Sequence, residues 1–263
     1  PHRNRLRQYE AAEEVAEAPA APEVDAGDDA ERNDEAKVQR LDRMGAPCGF
    51  GVSGVCCRIC HMGPCRITPR HPAGICGADA DTIVARNFLR EVAGGAAAHS
   101  DHARHLVLLL KDVAGGKNPD YTLKDPAALH RAAARYGLAS DGRTDAELAL
   151  ALAGTLLNEF AAQEETLATV GLAPLKRQAL WTARELAPAG IDRMIVEAMH
   201  RTHIGVDHDY AHLLRHAFRT ALADGWGGSR IASIVSDILF GTPSPVRSRV
   251  NLGVLDEATV NIV

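Results

Sequence analysis

The apolar positions after residue 79 recur mostly at helical spacing. In the stretch 80–92 they fall near every 3.6 residues, which predicts a helix there. We expect Gly94-Gly95 to interrupt this helix, and the alanine-rich segment that follows predicts a second helix to about residue 113. Further helices are predicted over 125–136, 144–169, 174–187, 190–202, 207–223 and 228–239.

The two ends of the chain lack this pattern. Residues 1–38 are rich in alanine, acidic residues and proline, a composition that predicts a disordered acidic tail. The last four residues, 260–263, resemble a strand, and a strand needs partners for its backbone groups. We therefore expect 250–263 to be the first strand region of a truncated α/β domain, and the chain to be the front portion of a longer polypeptide.

Composition narrows the classes of protein to consider. Aromatic residues make up only 4% of the chain, so alanine and leucine must fill most of a helical core. The net charge of -5 and the dispersed lysines and arginines argue against nucleic acid as a partner. The sequence has no apolar run of the roughly 18 to 20 residues that cross a membrane, and nothing at its start resembles a secretion signal. We expect a cytoplasmic protein whose thiols stay reduced.

All six cysteines lie in one glycine-rich stretch between Cys48 and Cys76. Four of them have the spacing C-x2-C-x4-C followed by a more distant cysteine: Cys57, Cys60, Cys65 and Cys76. Thiolates are soft ligands, and four in a short loop can hold an iron–sulfur cubane or a structural zinc. Glycines in the loop permit tight bends and let backbone N–H groups approach the sulfurs.

Cys48 and Cys56 remain as a pair. Neighbouring side chains diverge, so Cys56 is poorly placed to share a cubane with Cys57. Two thiolates complete neither a cubane nor a zinc site, but a second copy of the chain could supply two more across a two-fold axis. The spacing thus indicates one site with four ligands within the chain and half of a site shared by a dimer.

Two other interpretations of the cysteines stay open at this point. An even number of cysteines is compatible with disulfides, although a chain of this length does not need them. Structural zinc is the stronger alternative, because C-x2-C is also half of a zinc site. A second C-x2-C at ribbon spacing is absent from the sequence, and iron–sulfur is therefore favoured.

The sequence also contains two rows of histidines at regular helical spacing. His99, His102 and His105 recur every third residue in a predicted helix, and such a row of imidazoles could conduct protons or be a solvated face. A second row, His208, His212 and His216, has i, i+4 spacing that could bind a metal. It lacks an accompanying H-E-x-x-H motif, so we expect it to lie mostly at the surface or an interface.

Several strings resemble nickel–iron carbon monoxide dehydrogenase. The longest are GVCCRICHMGPCRI at 54–67, GICGADADTIVARN at 74–87 and GAAAHSDH at 95–102. Shorter ones are MHRTH at 199–203, DGWGG at 224–228 and DILFGTP at 237–243. The resemblance extends from about Cys48 to Val263. It implies a mainly α fold, namely a helical domain (79–249) with an iron–sulfur loop (39–78), followed by the start of a truncated Rossmann-like α/β domain.

The resemblance also implies roles for individual residues. The four cysteines Cys57, Cys60, Cys65 and Cys76 would hold a [4Fe–4S] cluster called B. Cys48 and Cys56 would hold half of a cluster called D, bridging a homodimer, expected as [4Fe–4S] with [2Fe–2S] as the alternative. His99 would act as acid and base, and His102 and His105 would relay protons. The next step of the relay, a histidine in some members, is Leu108 here.

The implied reaction converts CO and water to CO2, two protons and two electrons, which pass to a ferredoxin-like carrier. The nickel–iron C cluster of the family needs a histidine and cysteines that follow position 263 in its members. We therefore expect this chain alone to be inactive. The alternatives are an iron–sulfur electron-transfer or assembly module without catalysis, and a structural zinc module. The related hybrid-cluster family has another N-terminal cysteine spacing.

Overall fold

The computed structural model describes residues 39–40, 43–163 and 166–244. The chain divides into two units, one ending at Cys48 and the other beginning at Gly49. The tail predicted over 1–38 and the strand region predicted over 250–263 lie outside the described residues. All helices and strands named below belong to the second unit.

The second unit is built almost entirely from helices. It begins with a short helix α1 (Gly49–Val52) and a two-stranded antiparallel ribbon, β1 (Cys56–Cys57) and β2 (Cys65–Arg66). The helices that follow are α2 (Ala80–Ala114), α3 (Pro126–Arg135), α4 (Asp145–Ala161), α5 (Leu175–Ala183), α6 (Ile191–Arg201), α7 (Tyr210–Ala223) and α8 (Ser229–Phe240). A 3-10 turn (Ala168–Leu172) precedes α5, and a π-helical segment (Asp224–Gly228) joins α7 to α8. The expectation of a mainly α fold is confirmed.

Helix α2 is one continuous helix of 35 residues, so the predicted interruption at Gly94-Gly95 is wrong. Both glycines are exposed, and nothing lies within 4 Å of a Cβ built on either. A glycine in a helix interior costs only about 1 kcal/mol relative to alanine. The buried residues on either side, Leu89, Ala93 and Ala96, anchor the same face of the helix, and their burial outweighs that cost.

The main apolar core lies between the C-terminal half of α2 and helices α3, α4, α6 and α8. Leucine and alanine supply most of it, as the low aromatic content predicted; Leu110, Leu129, Leu148, Leu152 and Leu156 are fully buried. A smaller cluster joins the N-terminal half of α2 to α6 and α7. Helix α2 thus contributes to both clusters and is the central element of the bundle.

Local signals set most helix boundaries within a few residues of those predicted. Thr144 caps α4 through a reciprocal capping box with Glu147, in which each side chain bonds the other's backbone N–H. The predicted helix over 144–169 is too long, because α4 ends at Ala161 and the 3-10 turn follows. Among the described residues, no helix has the length and hydrophobicity needed to cross a membrane.

Candidate metal centre

The ribbon β1–β2 places two of the predicted cluster ligands opposite each other. Cys57 pairs with Cys65, while Cys56 pairs with Arg66 on the neighbouring position. The turn between the strands contains Cys60 and returns through Gly63, where an added Cβ would lie 2.9 Å from the carbonyl oxygen of Cys57. Glycine is therefore required there for the turn to bring its two strands together.

The segment that carries Cys76 lies against β2. The backbone N–H of Ile75 donates to Cys65 Sγ at 3.5 Å. A Cβ at Gly74 would lie 3.4 Å from the same sulfur, so the missing side chain leaves room for this approach. N–H groups directed at a cysteine sulfur are typical of the surroundings of iron–sulfur clusters, where they stabilise negative charge on sulfur.

Helix α2 holds this loop in place with polar side chains near its N-terminus. Asn87 donates to the carbonyl oxygens of Gly54 (3.0 Å) and Cys56 (3.2 Å). Arg86 is 1% exposed and donates to Cys76 Sγ at 3.5 Å and to the carbonyl oxygen of Asp207. A buried guanidinium beside a sulfur favours the thiolate, the form that binds metal.

Cys57 and Cys76, the first and last of the four predicted cluster ligands, differ in the pKa of their thiols. Burial opposes ionisation of the Cys76 thiol, but the Ala78 N–H, His208 and Arg86 outweigh it and lower its pKa to about 6. For Cys57, burial dominates and raises the pKa of the thiol, and the nearby Cys60 and Cys65 raise it further. Cys60 and Cys65 therefore lie close to Cys57, and a bound cation would relieve the repulsion among their thiolates.

The donor set and its surroundings fit a thiolate-bound cluster. The sulfurs of Cys57, Cys60 and Cys65 are neighbours, Cys65 and Cys76 each accept a hydrogen bond, and a buried cation faces the set. In the described ranges, however, no three His, Cys, Asp or Glu side chains converge closely enough to coordinate an ion as they stand. Cys48 belongs to the first unit and is exposed.

The first histidine row lies on the exposed side of α2. All three imidazoles are exposed, and they follow one another at a rise of about 4.5 Å per step. His99 Nδ1 is 3.0 Å from both carboxylate oxygens of Asp224, and His105 Nδ1 is 3.9 Å from Asp101. Because a carboxylate accepts, the contact with Asp224 assigns the proton to Nδ1 and leaves Nε2 of a neutral His99 as an acceptor.

Asp224 is a site residue that the sequence reasoning missed. It begins the π-helical segment, which lies directly on α2: a Cβ at Gly228 would be 3.5 Å from Ser100 Cα. A Cβ at Gly227 would be 2.8 Å from Ile191, so that glycine is needed for close packing. In the sequence this segment is the DGWGG string of the resemblance, and its glycine pair is a signal of close backbone approach.

In the described part of the chain the second histidine row does not converge on a metal site. Two of its members lie at the surface, and the third is buried. His208 precedes α7 and its Nε2 contacts the carbonyl oxygen of Cys76 at 3.0 Å. His212 is exposed, whereas His216 is 2% exposed and its Nε2 lies 2.9 Å from the carbonyl oxygen of Met194. The i, i+4 pattern crosses from the outer to the inner face of α7 because that helix packs on α6.

Proteins of known structure share this arrangement. A nickel-free crystal structure of a carbon monoxide dehydrogenase from Thermococcus sp. AM4 matches with a TM-score of 0.76 and 51% identity, covering 83% of this chain and 35% of that one. Carbon monoxide dehydrogenase IV from Carboxydothermus hydrogenoformans matches with a TM-score of 0.74 and 35% identity, covering 83% and 36%. The fold of this chain therefore occurs as part of larger carbon monoxide dehydrogenases.

Sequence comparison gives the same class. Residues 55–263 match the model of the Prismane/CO dehydrogenase family. Carbon monoxide dehydrogenase 1 of Methanosarcina acetivorans is 51% identical over 232 residues, which are 87% of this chain and 37% of the relative. Carbon monoxide dehydrogenase 1 of Carboxydothermus hydrogenoformans is 42% identical over 234 residues, with the same coverage. The chain belongs to the Prismane/CO dehydrogenase family and spans little more than a third of these relatives.

Proposed function

We propose that this chain is the electron-transfer portion of a nickel–iron carbon monoxide dehydrogenase. Cys57, Cys60, Cys65 and Cys76 hold a [4Fe–4S] cluster, the B cluster of the resemblance described above. The observation that carries the proposal is the Cys76 sulfur, which accepts from the buried Arg86 and whose thiol pKa is lowered to about 6, while the N–H of the adjacent Ile75 donates to Cys65 Sγ. The family membership and the relatives named as carbon monoxide dehydrogenases support it.

The surroundings of these cysteines suit reversible electron transfer. A [4Fe–4S] cluster supplies a one-electron couple whose potential depends on charge, hydrogen bonds to sulfur and solvent exposure. Arg86 contributes a fixed positive charge, and Ile75 contributes an N–H donor at 3.5 Å from Cys65 Sγ. Both favour the more negative, reduced state of anything the sulfurs hold. The carrier that accepts the electrons is of the ferredoxin type.

Cys48 and Cys56 are proposed to hold half of the D cluster, a [4Fe–4S] group, in a homodimer. Cys56 is half-buried, and its backbone is anchored on α2 by Asn87. An apolar surface lies beside the same loop: Val84 and Phe88 of α2 and Tyr210 of α7 are more than 40% exposed and line a cavity of about 540 Å³. A second copy would cover this surface and supply two more thiolates.

Protons are proposed to leave along α2. Asp224 orients His99 and holds its Nδ1 proton, so that Nε2 can take up a proton from the reacting centre. His102 and His105 pass protons on along the exposed side of the helix. Leu108 stands at the next step, so release to water occurs at His105, whose Nδ1 is 3.9 Å from Asp101.

The complete enzyme would convert CO and water to CO2, two protons and two electrons in the cytoplasm. Its nickel–iron C cluster is proposed to be held by residues outside this chain, since no cysteine follows Cys76. The chain alone is therefore expected to bind B and half of D without oxidising CO. Because the 232 matched residues are only 37% of the Methanosarcina acetivorans relative, the activity belongs to the larger protein.

Iron and sulfide analysis after anaerobic reconstitution tests the proposal. We expect about three cubanes per dimer, together with the visible absorption of [4Fe–4S] clusters. Cys57→Ser should abolish the cluster within each chain, whereas Cys56→Ser, a matched change one residue away, should remove only the shared cluster and dissociate the dimer. A colourless zinc protein would contradict the iron–sulfur assignment.

A second experiment separates the enzyme from a module without catalysis. Asp224→Asn should leave the iron content unchanged, because Asp224 contacts His99 and not the cysteine loop. In the larger protein that contains this chain, the same change should reduce CO oxidation and alter its pH profile. Equal activity of Asp224→Asn and the parent protein at every pH would remove the proposed proton route.

A further inference from the structure

A polar cavity of about 250 Å³ lies between α6 and α7, on residues to which the proposed function gives no role. Five of its six lining side chains are basic: Arg201, His212, Arg215, His216 and Arg219. The sixth is Glu185, which follows α5. A larger cavity of about 690 Å³ shares Glu185 and Arg219 with it, so Arg219 stands at the junction of the two.

The three arginines differ in whether a carboxylate pairs with them. Arg215 pairs with Glu185 at 2.8 Å, and Arg201 pairs with Glu197 at 2.7 Å and with Asp207 at 3.1 Å. These carboxylates therefore have partners. Arg219 is half-buried and makes one hydrogen bond within the described part of the chain, from Nε to the carbonyl oxygen of Ala187 at 3.3 Å.

Among the described residues, the terminal N–H groups of Arg219 consequently have no acceptor. A guanidinium carries five N–H groups, so four remain after the bond to Ala187. Burial lowers the pKa of Arg219, an effect that an anion in the cavity would reverse. Glu197 lies near enough to interact with Arg219 through space, but it is already bonded to Arg201. Arg219 is thus the open donor of the cavity.

His216 provides a second and independent observation. Its side chain is 2% exposed, and its Nε2 must carry a proton because the carbonyl oxygen of Met194, at 2.9 Å, can only accept. Its Nδ1 is buried and has no hydrogen-bond partner among the described residues. The nearest carboxylate oxygen, on Glu197, is 3.9 Å away, beyond hydrogen-bond distance. An unpaired buried acceptor of this kind is destabilising.

Donor and acceptor together specify a ligand. We propose that this cavity binds a small oxyanion that keeps one hydroxyl hydrogen, of the hydrogenphosphate type, with Arg219 donating to its oxygens and its hydroxyl donating to His216 Nδ1. The volume of about 250 Å³ accommodates such an anion with several waters at about 30 Å³ each. A fully deprotonated anion of equal charge satisfies Arg219 but leaves His216 Nδ1 without a donor.

Hydrogenphosphate and sulfate make the decisive comparison. They have the same shape and, near pH 7.5, nearly the same charge, but only hydrogenphosphate has a hydroxyl hydrogen. Calorimetric titration of the reconstituted 263-residue chain, in a buffer without other oxyanions and at constant ionic strength, should show phosphate binding about tenfold more tightly than sulfate. Equal affinities, or no binding of phosphate up to about 10 mM, would overturn the proposal.

Three variants locate the binding site. Arg219→Gln should weaken phosphate and sulfate binding by at least about tenfold, whereas Arg131→Gln, an exposed arginine elsewhere, should change neither. His216→Gln keeps a donor for the Met194 carbonyl oxygen but has no acceptor at the Nδ1 position. It should abolish the preference for phosphate over sulfate, and retention of the preference would refute the role of Nδ1. Circular dichroism verifies that each variant is folded.

The source of the phosphate is distinguished by a third ligand. Glycerol phosphate is mostly a dianion without a hydroxyl on phosphorus at pH 7.5, because its second pKa is about 6. We expect it to bind about as weakly as sulfate. Binding tighter than that of inorganic phosphate, and sensitive to Arg219→Gln, would show that the adjoining larger cavity receives an organic group and would refute a free anion as the ligand.

Discussion

The cysteine loop (49–79) and the helical bundle (80–240) are ordered by different means. Leucine and alanine side chains fill the bundle core, and they bury enough apolar surface to hold the helices together without a ligand. The loop has only a small apolar cluster, in which Cys57 and Ala78 pack with Ile83 of α2. It is otherwise held by backbone hydrogen bonds within the loop, by side-chain hydrogen bonds from Arg86 and Asn87 of α2, and by the contact of His208 with the Cys76 carbonyl oxygen. The bundle can therefore be stable alone, whereas the loop depends on what its sulfurs bind.

Removing iron should produce the largest difference between the two regions, because it should destabilise the cysteine loop and leave the bundle folded. A ligand present at a hundred times its dissociation constant stabilises the state that binds it by about 2.7 kcal/mol. Chelation of the reconstituted protein should thus accelerate proteolysis within 49–79 by about two orders of magnitude. The helical circular dichroism signal should persist. A parallel loss of that signal would show that the bundle also depends on the cluster.

A substitution that leaves a cavity in the bundle core should destabilise the bundle and leave the cysteine loop unaffected. Leu152 is fully buried, and Leu152→Ala should lower the free energy of unfolding by about 2–5 kcal/mol. The matched change Leu150→Ala, at a side chain 38% exposed, should cost less than about 1 kcal/mol. Urea denaturation measures both. The iron content per folded chain should stay constant in both variants, and a drop would mean that core packing controls the loop.

Acid should destabilise the bundle through His216. Burial lowers the pKa of His216 below 6.5, and Arg201 and Arg219 add to this, against Met194 and Glu197, which raise it. As pH falls below about 6.5, the unfolded chain takes up this proton before the folded chain does. The free energy of unfolding should therefore decrease below that pH, by at most about 1.4 kcal/mol per pH unit, until the folded pKa is reached.

Urea denaturation at several pH values between about 7.5 and 5.5 measures this contribution. His216→Gln keeps a donor for the Met194 carbonyl oxygen but cannot titrate. Its free energy of unfolding should fall less steeply as the pH is lowered than that of the parent chain. The two slopes should differ by up to about 1.4 kcal/mol per pH unit, the value for one proton. Identical slopes would show that another group takes up the proton.

Glycine substitutions give the smallest effects and compare the regions directly. Gly94→Ala in α2 meets open space and should raise the free energy of unfolding by about 1 kcal/mol, through helix propensity alone. Gly63→Ala places a Cβ 2.9 Å from the carbonyl oxygen of Cys57, so the turn must shift. It should reduce iron content without altering the melting of the bundle. Full iron content in Gly63→Ala would show that the loop tolerates the shift.

The sequence predicted the bundle better than the loop. Spacing of apolar residues located seven helical regions, because each helix buries a continuous face. It failed at Gly94-Gly95, where two small local costs are outweighed by burial on both sides. It also extended the helix over 144–169 past Ala161, since composition alone does not distinguish an α-helix from the 3-10 turn that follows.

The candidate site could be predicted as residue types but not as contacts. Cysteine spacing indicated the ligands, and their assignment remains a prediction. Arg86, Asp224 and the buried position of His216 were not found, because each depends on elements distant in sequence. Arg86 reaches Asp207 and Cys76, and Asp224 reaches back 125 residues to His99. No local pattern encodes such pairings.

The unbroken length of α2 fixes a distance and an angle at once. From Arg86, beside the cysteines, to His99, the helix rises about 20 Å, and the two positions share one rigid axis. Inserting a single residue between them would turn the histidine row by about 100° relative to the cysteine loop, while adding only about 1.5 Å. The number of residues between the two sites is therefore constrained by the rotation of the helix far more than by its rise.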